Sequence, residues 1–169
     1  MALSLYDSSI GALIRGLQNL STVLDKASAH AAGKKFDPLV LVQSRLYPDM
    51  YPLVRQVQIA CDNAKGAAAR LAATDVPKHE DTEASLEELK LRVLKTIDFL
   101  KSVDAAQVNG PEDRPIELKF PNGAMKFTAA SYLTDFVLPN FYFHSTIVYA
   151  LLRTNGVDLG KGDFLGTLP

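Results

Sequence analysis

A chain of 169 residues, 47% hydrophobic and 22% charged, is long enough to bury one core, and we expect a single domain over residues 1–169. Its 18 basic and 19 acidic side chains nearly cancel, which argues against a nucleic-acid partner or an anionic membrane surface. The one cysteine excludes an intramolecular disulfide, and without a leader peptide or a long apolar run we expect a cytoplasmic protein with no membrane partner.

Three helices are predicted in the first two thirds of the chain. The first runs from Ser4 to Ala32, stops at Gly33 and buries a stripe made of Ile10, Leu13, Ile14, Leu17, Leu20 and Leu24. The second begins near Pro48–Asp49 and buries Leu53, Val57, Ala60, Ala64, Ala67 and Leu71. The third begins at Thr82 or Ser85, where Ser85–Glu88 matches a capping box, and buries Leu86, Leu89, Val93, Ile97 and Leu100.

The spacing of apolar residues then changes to alternation. Ile116–Phe120 and Met125–Phe127 alternate on either side of Pro121-Asn122-Gly123, which predicts a β-hairpin. Thr128 can cap a fourth helix that ends near Thr154. Four long amphipathic helices with long connections predict an all-α four-helix bundle, with this small hairpin between helices three and four.

Proline and glycine set further expectations for the fourth helix. Pro139 lies inside it and should kink it, which frees the carbonyl of Asp135. Asn155-Gly156 is typical of a left-handed helix stop. The glycine-rich tail from Val157 should fold back over the bundle.

Two hydrogen-bonding side chains fall on the apolar stripe predicted for helix four, which comprises Leu133, Val137, Asn140, His144, Ile147 and Leu151. An inward polar side chain needs a partner or a ligand, because an unpaired buried polar group costs kilocalories. His144 is therefore the main candidate for a metal ligand or a general acid or base. The alternative is a ring that packs in the core and bonds to Asn140, to a carbonyl near Pro139 or to water. Gln56 on helix two either joins this pair across the core or reaches the edge of the bundle.

Other residues give weaker indications of chemistry. We expect His30 and His79 to be exposed, Asp62 to pair with Lys65 or solvent at little energetic consequence, and Cys61 to be an inert packed thiol. A set of aromatic and methionine side chains either lines a cavity or belongs to the core or a subunit interface: Tyr47, Met50, Tyr51, Phe141, Tyr142, Phe143 and Tyr149.

Three parts of the chain, Arg55–Asp62, Phe141–His144 and the stretch from Leu152 to Gly166, resemble a domain family of unknown function among the DinB/YfiT-like helical bundles. The resemblance implies a bundle and commonly a homodimer. Metal-binding members of that superfamily carry one histidine on helix two and two histidines, four residues apart, on the last helix. His144 lies at the same distance from the terminal Leu-x-x-x-Gly-Val as the second histidine of that pair, so the first histidine corresponds to Asn140. The histidine of helix two corresponds to Ala60.

One of three superfamily ligands is thus retained. The resemblance thus implies a homodimeric bundle with a degenerate metal site and no expected cofactor. Gln56, Asn140 and His144 are candidates to bind a small molecule or to serve structure alone. The alternative is a metal-dependent transferase or hydrolase with a divalent ion at a rearranged site around His144.

Overall fold

The computed structural model describes residues 4–167, which are mostly helical with one two-stranded sheet. A π-helical turn, Asp7–Gly11, leads into α1 (Ala12–Lys34), which is followed by α2 (Leu39–Val42), α3 (Leu53–Leu71), α4 (Leu86–Ser102) and α5 (Ala105–Val108). The hairpin strands β1 (Pro115–Phe120) and β2 (Gly123–Thr128) come next. The chain ends with α6 (Ala129–Ser131), a π-helical stretch Tyr132–Val137, α7 (Leu138–Thr154) and α8 (Lys161–Leu165).

The long helices close around one apolar core. Helix α1 packs on α4, α4 on α3, α3 on α7, and α7 on α1. The predicted stripes of the first three helices face this core, where nearly all of their side chains are buried. The mostly helical fold with a hairpin is confirmed, whereas the strict count of four helices is not. The described residues also form the short helices α2, α5 and α6 between the long ones and α8 in the tail.

Among residues 4–167, no helix combines the length and the apolar character needed to cross a membrane.

Two predicted helix starts and one predicted stop are confirmed. The Ser85 hydroxyl accepts the Glu88 amide hydrogen at 3.1 Å and so begins α4. The Thr128 hydroxyl accepts the Ser131 amide hydrogen at 3.1 Å at the start of α6. Gly156 follows α7 with a φ of 86°, the left-handed conformation that favours glycine.

Helix α1 ends later than predicted. Gly33 is helical, and the left-handed residue is Lys35, with a φ of 59°. The next residue, Phe36, donates its amide hydrogen to the carbonyl of Ala31 at 3.2 Å and packs partly against the core. This apolar anchor, and not a glycine, therefore determines where the helix stops.

Helix α3 begins at Leu53, later than the predicted Pro48–Asp49. Pro52 precedes it with an extended backbone, at φ −68° and ψ 166°. The Leu53 amide donates outside the helix, to the carbonyl of Ser44 at 2.9 Å. Proline lacks an amide hydrogen, so it is well suited to the position just before a helix begins.

The predicted hairpin is confirmed. Its antiparallel register pairs Ile116 with Phe127 and Phe120 with Gly123, so Pro121 and Asn122 form a two-residue turn. One face of β1 is buried through Ile116 and Leu118, which places the hairpin against the bundle.

The predicted kink at Pro139 takes another form. A π-helical stretch, Tyr132–Val137, precedes it, and Pro139 then lies in the first turn of α7, where a missing amide hydrogen is tolerated. A π turn contains one residue more than an α turn, which rotates the side chains that follow. Asn140 and His144 therefore lie half-buried at the edge of the predicted seam, and the fully packed face of α7 comprises Phe141, Ser145, Val148, Leu151 and Leu152.

The tail folds back onto α1, as predicted. The Asn19 amide nitrogen donates to the carbonyl of Phe164 at 3.0 Å. The Lys26 ammonium pairs with the Asp163 carboxylate at 2.7 Å. These two contacts hold α8 against the outer side of α1.

Candidate functional site

Gln56 of α3 and His144 of α7 meet where these two helices pack. Gln56 is only 2% exposed, and its Oε1 lies 2.7 Å from His144 Nδ1. Its amide nitrogen donates to the carbonyl of Tyr51 at 3.1 Å, which turns the amide oxygen towards the ring. Because an amide oxygen only accepts, this contact assigns the hydrogen to Nδ1 and leaves the lone pair on Nε2. The hypothesis that Gln56 joins the Asn140–His144 pair is thus confirmed for His144 alone, and the alternative placement of Gln56 at the bundle edge is wrong.

The surroundings keep the His144 ring neutral. Burial lowers its pKa below the ordinary value of 6.5, and the positive charge of Arg55 lowers it further. Within the described part of the chain, no group hydrogen-bonds to Nε2. A neutral imidazole with a fixed tautomer and an open Nε2 can accept a hydrogen bond or a proton.

Asn140 does not pair with His144. Its Oδ1 is buried and has no hydrogen-bond partner among residues 4–167. The expected Asn140–His144 bond is therefore wrong. Both side chains line one open surface depression, together with Asp135, Phe136, Pro139 and Phe143.

A groove continues from this depression towards the hairpin. Asn140 lines it together with Arg55, Asn63, Arg70 and Phe120. The Asn63 Oδ1 is also buried without a partner in the described chain. The groove thus combines two amide acceptors without a partner and three basic side chains, Arg55, Arg70 and Lys119, with one carboxylate, Asp62. Arg55 also pairs with Asp81. The excess of basic side chains suits a polar ligand that carries a negative charge.

The donor atoms do not fit a tightly bound divalent metal ion. They comprise the His144 imidazole, the Asp135 carboxylate and the amide oxygens of Asn140 and Gln56, and Gln56 Oε1 already accepts the His144 hydrogen. Across residues 4–167, no three side chains of His, Cys, Asp or Glu converge as a possible metal site. The α3 residue that meets His144 is Gln56, one turn before Ala60, which is fully buried in the core. A transition metal requires more strong donors than this set supplies.

Sequence analysis missed a cluster of charges around a buried arginine, formed by α3, α4 and the loop between them. Arg92 is 3% exposed and lies 2.9 Å from carboxylate oxygens of Asp62 and Asp81 and 3.0 Å from Glu83. The predicted pair of Asp62 with Lys65 is confirmed at 2.9 Å. Asp62 also pairs with the buried Arg92, so we expect a larger contribution to stability than an exposed pair makes. A sequence signal existed, since an arginine between Leu89 and Val93 falls on the predicted apolar stripe.

The two other histidines are less exposed than predicted, whereas the cysteine is packed as predicted. His79 is half-buried, not exposed, and burial together with the charge of Lys65 lowers its pKa. His30 is also half-buried, with its ring edge-on to Phe36 at 5.7 Å. Cys61 is packed in the core as expected, and burial raises the pKa of its thiol to about 12, which disfavours the reactive thiolate.

The aromatic side chains singled out in the sequence divide into two groups. Tyr47, Tyr51 and Phe143 are exposed, at 65%, 59% and 55%. Phe141, Tyr142 and Tyr149 line a partly open cavity between α1 and α7, and Tyr142 is itself 39% exposed. The cavity considered for these residues is therefore present, and a subunit interface stays a prediction.

A bundle of long helices with a small hairpin before the last of them has a DinB-like fold. The chain is similar to the crystal structure of a DinB family member protein from Shewanella denitrificans, with 39% identity and a TM-score of 0.90. The match covers 98% of this chain and 93% of that one. Residues 5–165 match the family described as domain of unknown function DUF1993, and the protein belongs to this family. A search of curated proteins finds no match.

Proposed function

We propose that the protein binds a small polar molecule in the depression and groove between α3, α7 and the hairpin, where Asn140 and His144 contact the molecule and Gln56 positions the His144 ring. The observation that carries this proposal is the 2.7 Å contact between Gln56 and His144, which fixes the tautomer and leaves Nε2 as an open acceptor. The unpartnered Oδ1 of Asn140 lines the same depression. Two neighbouring acceptors without donors favour a ligand that supplies N–H or O–H groups.

The charges beside the groove narrow the class of ligand. Arg55 and Arg70 line it, and guanidinium groups bind carboxylates and phosphates through paired hydrogen bonds. The ligand therefore combines an anionic group with hydrogen-bond donors. In this proposal Gln56 is a positioning residue that acts through His144, whereas Asn140 and His144 touch the ligand.

The proposal includes a homodimer that covers the mouth of the site. Tyr51 and Phe143 lie beside the Gln56–His144 pair and expose more than half of their surface. The Phe143 ring packs edge-on to the His144 ring at 5.1 Å. Aromatic residues exposed at the rim of a polar site are typical of interface anchors, and a second copy of this chain is the partner that the family resemblance favours.

Native mass spectrometry of freshly purified, untagged protein, with elemental analysis of the same sample, tests the proposal. We expect a dimer that retains a small-molecule mass and holds no stoichiometric metal. The retained mass should be lost in His144→Ala and kept in His30→Ala, a matched change of a half-buried histidine outside the site. Stoichiometric divalent metal would contradict the proposal and favour the alternative, a metal-dependent transferase or hydrolase built around His144.

A further inference from the structure

A cavity of about 140 Å³ lies between α1, α7 and α8 and shares no lining residue with the depression or groove at His144. Aromatic rings form much of its wall: Phe141, Tyr142, Tyr149 and Phe164. Two of these, Tyr149 and Phe164, pack edge-on at 6.1 Å. Leu20 and Val23 of α1 add aliphatic surface. The cavity is therefore apolar over most of its lining and rich in ring edges and faces.

One hydroxyl group in this lining has no partner. Ser145 is 6% exposed, and its Oγ is buried without a hydrogen bond to any described residue. Two other buried hydroxyls bond back to their own helix: Ser9 donates to the carbonyl of Leu5, and Thr96 donates to that of Arg92 at 2.8 Å. Ser145 does not make this bond, so it is available to a molecule inside the cavity.

The wall on one side is a short helix held by few polar contacts. Helix α8 contributes Phe164 and Leu165 to the lining. The Asn19 amide on the Phe164 carbonyl and the Lys26–Asp163 ion pair fasten it to α1. Lys26 is 44% exposed in its side chain, so its ion pair is a weak restraint. A wall of this kind can move aside for a ligand without opening the main bundle.

We propose that this cavity binds a single-ring aromatic molecule of the phenol class, with its hydroxyl on Ser145. The size agrees, because an apolar cavity of about 150 Å³ in another protein holds a benzene molecule. The aromatic lining favours a ring that can make edge-to-face and offset contacts. The Ser145 hydroxyl favours a ligand with a hydrogen-bonding group over a purely apolar one.

Methyl-labelled full-length protein, titrated with phenol and with benzene, tests this proposal by nuclear magnetic resonance. Both probes should shift the Leu20 and Val23 methyl signals saturably, because these side chains line the cavity. Phenol should bind about twofold to tenfold more tightly than benzene, the range for one net hydrogen bond. Ser145→Ala should remove this preference, and Ser21→Ala, a buried serine of α1 outside the cavity, should keep it.

Three results would overturn the proposal. The first is an absence of saturable shifts at Leu20 and Val23. The second is an unchanged preference for phenol in Ser145→Ala. The third is a crystal structure of the phenol-soaked protein with only water at Ser145 Oγ. Ser145→Leu, which fills the space, should abolish the binding of both probes, and retained binding would place them elsewhere. Because the methyl signals of Leu20 and Val23 report only on this cavity, a negative result here is independent of whether a ligand binds at His144.

Discussion

Gly16 of α1 lies against the ring of Phe141 of α7 so closely that a Cβ on the glycine would sit 2.5 Å from Phe141 Cε1. Phe141 is fully buried and cannot turn outward without leaving a void in the core. The glycine is therefore required by helix packing, since it allows the ring of α7 to reach the backbone of α1.

Gly16→Ala should destabilise the fold by about 1–3 kcal/mol, because the added methyl group overpacks the contact with Phe141. Gly33→Ala is the matched control on the same helix, where a Cβ would meet nothing within 4 Å. That change should stabilise the fold by about 0.4–1 kcal/mol, since alanine restricts the unfolded chain. Urea unfolding of both variants measures the two effects, and equal effects would contradict the close contact.

Gln56→Glu should raise the pKa of His144 above its wild-type value. The substitution places a carboxylate where Oε1 now lies, 2.7 Å from Nδ1, and a negative charge stabilises the imidazolium ion. A titration of the His144 ring signals by nuclear magnetic resonance measures the shift. Gln56→Met, which removes the polar contact without adding charge, is the control and should not produce this rise.

The free energy of unfolding should fall as the pH decreases from neutrality to below 6.5. His144 and His79 both have folded-state pKa values lowered from 6.5, so the unfolded chain binds more protons in this range. The contribution of these two histidines to stability is complete above pH 6.5 and is lost as the pH falls through their lowered folded-state pKa values. The double substitution His79→Gln and His144→Gln should flatten this part of the stability curve, and an unchanged slope would show that other groups cause it.

Asn140→Leu should change the free energy of unfolding by less than about 1 kcal/mol, because the lost Oδ1 has no partner among the described residues. A larger loss would be expected if the His144 ring were bonded to Asn140, the alternative considered from the sequence. Gln56→Leu is the informative comparison, since it strands Nδ1 of His144 and should cost about 1–3 kcal/mol. Thermal and urea unfolding of the two variants distinguish the true partner of the histidine.

Arg92→Met should destabilise the protein by about 2–4 kcal/mol. This is less than the loss expected for a fully buried ion pair, because the two aspartates that pair with Arg92 are partly exposed to solvent. The change leaves Asp62, Asp81 and Glu83 close together without the guanidinium between them. Lys78→Ala, which breaks an ion pair whose side chains are 85% and 70% exposed, should have an effect below about 0.5 kcal/mol. Chemical unfolding at neutral pH compares the two variants, and similar losses in the free energy of unfolding would contradict a buried role for Arg92.

Much of the fold could be predicted because each element has a strong local signal. The stripe from Leu53 to Leu71 has helical spacing throughout, and all six of its predicted core residues are fully buried. Ser85 and Thr128 form the expected caps. Alternation around Pro121-Asn122-Gly123 located the hairpin correctly.

The site was predicted only in part, because its geometry depends on contacts that no local pattern encodes. Gln56 and His144 are 88 positions apart, and their bond follows from how α3 packs on α7. The partnerless state of Asn140 depends on the π-helical stretch before it, which has no strong sequence signature. No local pattern marks Ser145, because its lack of a hydrogen bond is a property of the folded structure.

The π-helical stretch Tyr132–Val137 also affects how related chains should be aligned. The stretch holds one residue more than a uniform α-helix of the same length in space. A residue-by-residue alignment that starts at the hairpin and assumes a uniform helix therefore places His144 one position away from its counterpart. Counting backward from Gly156 passes only through α7 and does not cross the stretch. A one-residue gap between two members of the family is therefore best placed within Tyr132–Val137, where it preserves the match of the histidine position.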